Sequence, residues 1–199
     1  MSISRTHILV AAAATVLLAA GCSDDSTATH TTEHSTTTTT SAAASSDFND
    51  ADVSFLQMMY PHHAQAVEMA KMVPSHTRNQ QLIALAAQVE KAQAPEMQQI
   101  TDLLAGFGEP APSATDGHGG HDMPGMMTDA QMSSLQAAND VDFDRQWLEM
   151  MIAHHEGAVE MAQTELNGGV NPPSRQLATE IIADQEAEIA TMRGMLTQN

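Results

Sequence analysis

Thiol chemistry is almost excluded from this chain, because Cys22 is its only cysteine. A lone cysteine cannot form an internal disulfide, and acylation of Cys22 would leave the mature protein without a free thiol. That composition suits an oxidising compartment, where thiols are a liability. Any soft metal ion bound by the folded part would therefore be held by methionine and histidine rather than by thiolate.

Basic and aromatic side chains are scarce as well. Seven lysines and arginines stand against 25 aspartates and glutamates, which gives a formal net charge of −18. This balance argues against a nucleic-acid partner, because phosphate contacts require lysine and arginine. Aromatic residues make up only 3% of the chain, so its 15 methionines and its aliphatic residues must fill the core.

The N-terminus has the pattern of a bacterial lipoprotein signal over residues 1–21. Arg5 precedes an apolar stretch, and small residues lead to Cys22 as in a lipobox, although Ala19 stands where a larger aliphatic residue is usual. We expect cleavage and acylation at Cys22, and hence an extracytoplasmic protein that contacts the membrane only through this anchor. The alternatives are a plain secretory signal and an N-terminal anchor helix, but the apolar stretch is short for a span of ~20 residues.

Residues 22–46 are rich in serine and threonine and have too few apolar side chains to form a core. They are predicted to be a disordered tether, which is a better interpretation of His30 and His34 than metal binding. A folded domain is expected over residues 47–199.

Hydrophobic periodicity predicts helices within that domain. They are expected at residues 47–73, 77–105, 141–166 and 174–197, with a further helix that begins at Thr128. Gln131 lies three residues after Thr128, as in a capping box. The segment from Met72 to Ser75, which contains Pro74, is predicted to end the first helix. Residues 106–127 form a linker rich in glycine, histidine and methionine.

A duplicated motif dominates the domain. Residues 50–71 and 142–163 align without a gap at an offset of 92, and 12 of the 22 positions are identical. The matches continue into the second helix of each half, so the repeated unit is a helical hairpin. Two such hairpins bury their apolar faces best as a four-helix bundle, which predicts an all-α fold.

Both copies keep a Met-Met and a His-His step four residues apart, so that each histidine lies over a methionine on the helix surface. One pair is expected to face the core and the other a groove between helices. Imidazole and thioether together favour copper, above all Cu(I), with Ag(I) and Cu(II) as alternatives. The candidate ligands are Met58, Met59, His62, His63, Met69, Met150, Met151, His154, His155 and Met161.

Polar residues of the partner helices are candidate supports for these histidines. Gln93, Glu96, Gln185 and Glu188 lie on or beside the apolar stripes. A buried polar group needs a partner, and a histidine ring N–H is one natural choice. An ordinary interhelical hydrogen bond is an equally good interpretation.

The linker offers a separate set of donors. Methionine in a loop of glycine and proline buries nothing, so packing does not explain its presence there, and capture of Cu(I) does. These candidates are His118, His121, Met123, Met126 and Met127.

Two prolines make the halves unequal. Pro61 and Pro95 correspond to Ala153 and Ala187 in the second half. Proline removes a helical hydrogen bond and tends to bend the helix. The site at His62 and His63 is therefore expected to be more distorted or more open than the site at His154 and His155.

The repeated M-x-x-HH-x-x-A-x-x-MA pattern and the paired Gln-x-x-Glu steps resemble the family known as domain of unknown function 305, over about residues 47–197. The resemblance implies a ferritin-like four-helix bundle. It also implies copper ligands at His62, His63, His154 and His155 with their neighbouring methionines, because the family includes secreted and periplasmic proteins implicated in copper resistance.

The expected function is therefore extracytoplasmic binding of copper, for sequestration or for relay to a donor or acceptor protein, and not enzymatic catalysis. A metal-free helical interaction module is the first alternative. A ferritin-like di-iron oxidase is less favoured, because such sites use Glu-x-x-His motifs and none occurs in these helices.

Overall fold

The computed structural model describes residues 47–110, 112–114 and 123–197. The described residues form five helices and no strand. The helices are α1 (Asp50–His76), α2 (Gln80–Phe107), α3 (Asp129–Ala137), α4 (Asp140–Gly168) and α5 (Pro172–Leu196). The all-α prediction is confirmed. The predicted signal, Cys22, the tether, His118 and His121 lie outside the described residues.

The helix starts follow from side-chain capping. Asn49 accepts hydrogen bonds from the backbone N–H groups of Ala51 and Asp52, and Thr128 forms the predicted capping box with Gln131. Three residues separate α1 from α2 and α4 from α5. Such short connections hold each pair of helices together as a hairpin.

Proline does not interrupt the helices as the sequence predicted. Pro74 lies inside α1, which ends only at His76, and Pro61 and Pro95 also lie inside helices. The prediction that the first helix closes at Pro74 was wrong. Packing against neighbouring helices stabilises a helix more than local propensity does, so one lost hydrogen bond need not end it.

The two hairpins meet through α1 and α4, which pack against each other along their length, whereas α2 and α5 make few contacts. Buried side chains form two apolar clusters. The first half of α1 and the second half of α4 supply one cluster, and the remaining halves supply the other. Because the start of α1 packs with the end of α4, and the end of α1 with the start of α4, the two helices run antiparallel.

The hairpins are also tied together at the ends of the helices. The buried carboxylate of Asp52 on α1 accepts hydrogen bonds from the backbone N–H groups of Val170 and Asn171 in the α4–α5 connection, at 3.0 and 2.9 Å. Its counterpart Asp144 on α4 accepts from the Asn79 side chain at 2.9 Å. The described helices include none with the length and apolar composition needed to cross a membrane.

Candidate metal site

A layer of four histidines separates the two apolar clusters at the middle of the domain. His62 and His63 lie on α1 between Met59 of one cluster and Ala66 of the other. The layer is fully interior, since the exposed fractions are 0% for His62, His63 and His155 and 1% for His154. His62 and His154 meet between α1 and α4, whereas His63 and His155 face Glu96 on α2 and Glu188 on α5.

His62 and His154, the equivalent residues of the two repeats, meet at the centre of this layer. Their ring centroids are 3.7 Å apart, with 38° between the ring planes. Burial above all, and then the His63 ring, lowers the pKa of His62 to about 3. Burial, followed by the His62 and His155 rings, holds the pKa of His154 well below its usual 6.5. Both rings are therefore neutral near pH 7, which is the form that binds a metal ion.

The outer histidines are oriented by carboxylates. The Nε2 atom of His63 donates to Glu96 at 2.7 Å, and that of His155 donates to Glu188, also at 2.7 Å. Because a carboxylate only accepts, Nε2 carries the proton, and in the neutral ring the lone pair is then on Nδ1. Metal-binding histidines are commonly fixed by such carboxylates.

The His63–Glu96 and His155–Glu188 pairs match closely, although a proline, Pro61, precedes the histidines only in the first half. The two His–carboxylate distances are identical, and no histidine of the layer is more than 1% exposed. The expectation that the first site would be more open was wrong. Pro61 is itself buried within an unbroken helix, so its missing N–H leaves the register of His62 and His63 unchanged.

Five ring nitrogens of the layer find no hydrogen-bond partner among the described residues. They are the Nδ1 atoms of His62, His63, His154 and His155 and the Nε2 atom of His154. A buried polar atom without a partner costs about 1–3 kcal/mol. Lone pairs on buried imidazoles are the donors that copper, zinc and nickel accept, so these rings have the ligand chemistry of a borderline or soft ion.

The candidate methionines flank the histidine layer on both sides. Five of them are at least nine-tenths buried, namely Met59, Met69, Met150, Met151 and Met161, whereas Met58 is only half-buried. Within the described part of the chain, no group of three or more His, Cys, Asp and Glu side chains is arranged to hold an ion. That finding includes the four rings of the layer, so a metal site at this level would combine at most two of these rings with methionine thioethers.

The glutamines predicted to support the histidines are placed differently. Gln93 and Gln185 are buried, yet both amide atoms of Gln93 and the Oε1 atom of Gln185 lack a hydrogen-bond partner in the described ranges. Glu96 and Glu188, one turn further along their helices, contact the histidines instead. Their part in metal binding stays a prediction.

Part of the linker reaches the site. Met127 is 8% exposed and belongs to an apolar cluster, while Met123 and Met126 are half-buried. The expectation that the linker methionines bury nothing was therefore wrong for Met127. The Pro124 carbonyl accepts a hydrogen bond from His62 Nε2 at 3.1 Å. The backbone of residues 123–127 thus lies directly against the histidine layer.

Three residues that position this segment, one of them within it, were missed by sequence reasoning. Gln65 makes two hydrogen bonds to the Met127 backbone, and Gly125 and Gly157 allow the segment to approach α4. A signal was available, since Gln65 and Gly157 occupy equivalent positions at which the two repeats differ.

Comparison with known proteins identifies related folds. A DUF305 protein of Streptomyces coelicolor that is predicted to be secreted has a crystal structure similar to this chain, with a TM-score of 0.68 and 30% identity over 74% of this chain and 93% of that one. The Cu(II)-bound form of CopM is similar with a TM-score of 0.65 and 33% identity, over 74% of this chain and 96% of that one. CopM structures in Cu(I)-bound and Ag-bound forms match as well.

Among curated proteins, the uncharacterized protein L153 of Acanthamoeba polyphaga mimivirus is 40% identical over 55 residues. The match covers 28% of this chain and 36% of that protein. The family profile described as Domain of unknown function (DUF305) matches residues 52–196, which include every helix of the structure except the first two residues of α1. The chain therefore belongs to the DUF305 family.

Proposed function

We propose that this protein binds copper as cargo outside the cytoplasm, and that it sequesters the ion or relays it to another protein. Cu(I) is the favoured form, with Ag(I) and Cu(II) as further ions of the same site. The ligands are drawn from the imidazoles of the histidine layer and from the thioethers that flank it. The protein would thereby contribute to copper tolerance.

The observation that carries this proposal is the set of five buried ring nitrogens without a partner among the described residues. In a metal-free packing module, a buried histidine is expected to satisfy its nitrogens with hydrogen bonds. His76 on the same helix, which is partly exposed, has a partner of the right kind at each ring nitrogen, since Nδ1 can accept from the Ser75 hydroxyl at 2.9 Å while Nε2 donates to the Gln136 carbonyl at 3.1 Å. The four layer histidines leave ring nitrogens without partners in one buried layer, and methionines belong to the apolar clusters on both sides of it.

The relatives support the choice of ion. CopM, which is 29–33% identical to this chain in its metal-bound forms, holds Cu(I), Cu(II) and Ag in separate structures. Imidazole accepts both oxidation states of copper, whereas thioether selects Cu(I) and Ag(I). A site that contains both donor types accounts for the same range of ions in this chain.

The place of action rests on the N-terminus and on one relative. Small residues precede Cys22 as in a lipobox, and the similar Streptomyces coelicolor protein is predicted to be secreted. We place the domain on the outer side of the cell membrane, with acylated Cys22 as its anchor and residues 23–46 as a tether.

Anaerobic competition between the purified full chain and a chromophoric Cu(I) chelator tests the proposal. We expect tight binding by the wild type. Replacement of His62, His63, His154 and His155 by alanine should reduce the affinity by at least ~100-fold, since each lost ligand or support costs about 10–100-fold.

The matched control is His76→Ala, which removes a histidine of α1 whose ring nitrogens already have partners. It should bind Cu(I) like the wild type. Tight binding that survives the fourfold replacement would place the copper elsewhere in the chain. A wild type that binds neither Cu(I) nor Ag(I) would favour a metal-free interaction module.

A further inference from the structure

The segment at residues 123–127, which we call the strap, lies against the two central histidines of the layer. Its Pro124 carbonyl accepts from His62 Nε2 at 3.1 Å. Its Gly125 has a φ of +76°, a left-handed conformation that glycine adopts without strain. A Cβ atom added there would lie 2.6 Å from the Ala153 carbonyl oxygen, so the strap backbone rests directly on α4 beside His154.

Two residues at equivalent repeat positions hold the strap in place. On α1, the buried Gln65 side chain donates to the Met127 carbonyl and accepts from the Met127 N–H, both at 2.8 Å. On α4, the counterpart is Gly157, where an added Cβ would overlap the Pro124 carbonyl. The two repeats thus differ at this position. The Gln65 amide on α1 binds the backbone of the strap, and the missing side chain of Gly157 on α4 leaves space for that backbone.

The strap also makes the two central histidines chemically different. Because a carbonyl oxygen only accepts, His62 must carry its proton on Nε2, and its lone pair is then on Nδ1. His154 has no hydrogen-bond partner at either ring nitrogen within the described residues. One ring of the central pair is therefore locked in a single tautomer, and the other is free to adopt either.

We infer that the strap fixes the His62 ring so that its Nδ1 atom is presented to the bound ion, with Gln65 and Gly157 as the positioning residues of the strap. This inference rests on the proposed copper function. Lifting the strap breaks the two Gln65 hydrogen bonds and the His62–Pro124 bond, and it frees the His62 ring from its single tautomer, so the ion is held less firmly. Variants that loosen the strap should therefore release the ion faster.

Two variants of the full chain loosen the strap in different ways. Gln65→Leu removes both clamp hydrogen bonds, and Gly157→Ala fills the space that the Pro124 carbonyl occupies. Each should increase the rate of Cu(I) transfer to excess chelator on the order of tenfold. Gln65→Leu loses two hydrogen bonds, which shifts the equilibrium toward the lifted strap by at least that factor, and Gly157→Ala displaces the strap by overlap with the Pro124 carbonyl. The control is Gly106→Ala on α2, where an added Cβ meets no described atom within 4 Å.

Readouts without metal separate this inference from the proposed function. In the metal-free wild type, nitrogen NMR should show His62 protonated at Nε2, and the Met127 amide should be protected from hydrogen exchange. Both variants should reduce that protection at least ~10-fold and release the His62 tautomer. If Gly157→Ala fails to fold by circular dichroism, Gln65→Leu still decides, because it adds no atoms between the strap and α4.

Three results would overturn the inference. The first is a His62 ring protonated at Nδ1 in the wild type, and the second is a Met127 amide that exchanges freely. The third is an unchanged Cu(I) release rate in variants whose Met127 protection is lost. Absence of Cu(I) binding in a wild type with a protected Met127 would instead refute the copper function while leaving the strap as a structural element.

Discussion

At the scale of single residues, the decisive property of the site is the direction of each histidine ring. The Nε2 N–H groups of His63 and His155 donate hydrogen bonds to Glu96 and Glu188, and that of His62 donates to the Pro124 carbonyl. In its neutral form, each of these three rings then has its lone pair on Nδ1. Fixed rings lose little freedom when an ion binds, so these carboxylates should raise copper affinity without touching the ion.

Replacement of either carboxylate tests this support. Glu96→Gln and Glu188→Gln should each weaken Cu(I) binding about 10–100-fold, because an amide orients the ring less firmly and does not raise its basicity. The two effects should be similar, since both His–carboxylate distances are 2.7 Å. The measurement is the anaerobic competition titration. Glu90→Gln is the control on α2, because Glu90 pairs with the exposed Lys71 at 3.9 Å. A loss at only one of the two sites would show that the halves do not share the ion equally.

The candidate histidines could be read from the sequence because a repeat preserves them at fixed helical spacing. Their contact with one another could not. The 3.7 Å approach of His62 to His154 depends on how α1 packs against α4, and periodicity within one helix contains no information about that packing. The strap was missed for the same reason, since its contacts with α1 span 62 residues of sequence.

At the scale of helices and connections, the sequence predicted those features that depend on residues close together in the chain. Thr128 and Gln131 predicted their capping box, and the hairpins followed from the repeat. Proline misled the prediction at Pro74, because burial of a long helix outweighs one missing hydrogen bond. The ties between hairpins were not predictable, since the Asp52–Asn171 contact joins residues 119 apart.

Those ties differ in strength, which gives a prediction for the helix ends. Asp52 accepts from three backbone N–H groups, those of Asn49, Val170 and Asn171, whereas Asp144 accepts from the Asn79 side chain. Asp52→Ala should therefore destabilise the domain by about 2–5 kcal/mol, because it leaves several donors without a partner. Asp144→Ala should cost about half as much or less. Urea unfolding of both variants at one pH measures the difference, and equal losses would contradict this account of the ties.

At the scale of the whole molecule, the duplication produces near-symmetry in the histidine layer and asymmetry around it. The repeat supplies matched His–carboxylate pairs, while residues without a counterpart add the strap and one unusual carboxyl group. That group is Glu165 on α4, which is 1% exposed and corresponds to Val73 in the first half. The side chain lies against Gly169, where an added Cβ would overlap its carboxylate.

Glu165 should control the stability of the metal-free domain above neutral pH. Burial, and then the neighbouring Asp52 carboxylate, raises the pKa of Glu165 to about 8 from 4.5. Between these values the folded protein holds a proton that the unfolded chain has lost, so the stability from Glu165 is complete below pH 4.5 and disappears as the pH rises to about 8. His62 acts in the opposite direction at lower pH, because its pKa of about 3 lies below the usual 6.5. His154 acts in the same direction as His62, since burial holds its pKa well below 6.5 as well. Two histidines outweigh one glutamate between pH 4.5 and 6.5, so stability should peak near pH 6.5.

The alkaline decline can be assigned by substitution. Between pH 6.5 and 8.5 the Tm of the metal-free wild type should fall by several °C, on the order expected for about one proton in a domain of this size. Glu165→Gln is neutral at every pH and should remove that decline, while the loss of stability below pH 6 should persist because the buried histidines remain. Glu160→Gln changes an exposed glutamate of the same helix and should keep the wild-type profile. Differential scanning calorimetry across this range would refute the assignment if Glu165→Gln and the wild type declined in parallel, since the titrating group would then lie elsewhere in the chain.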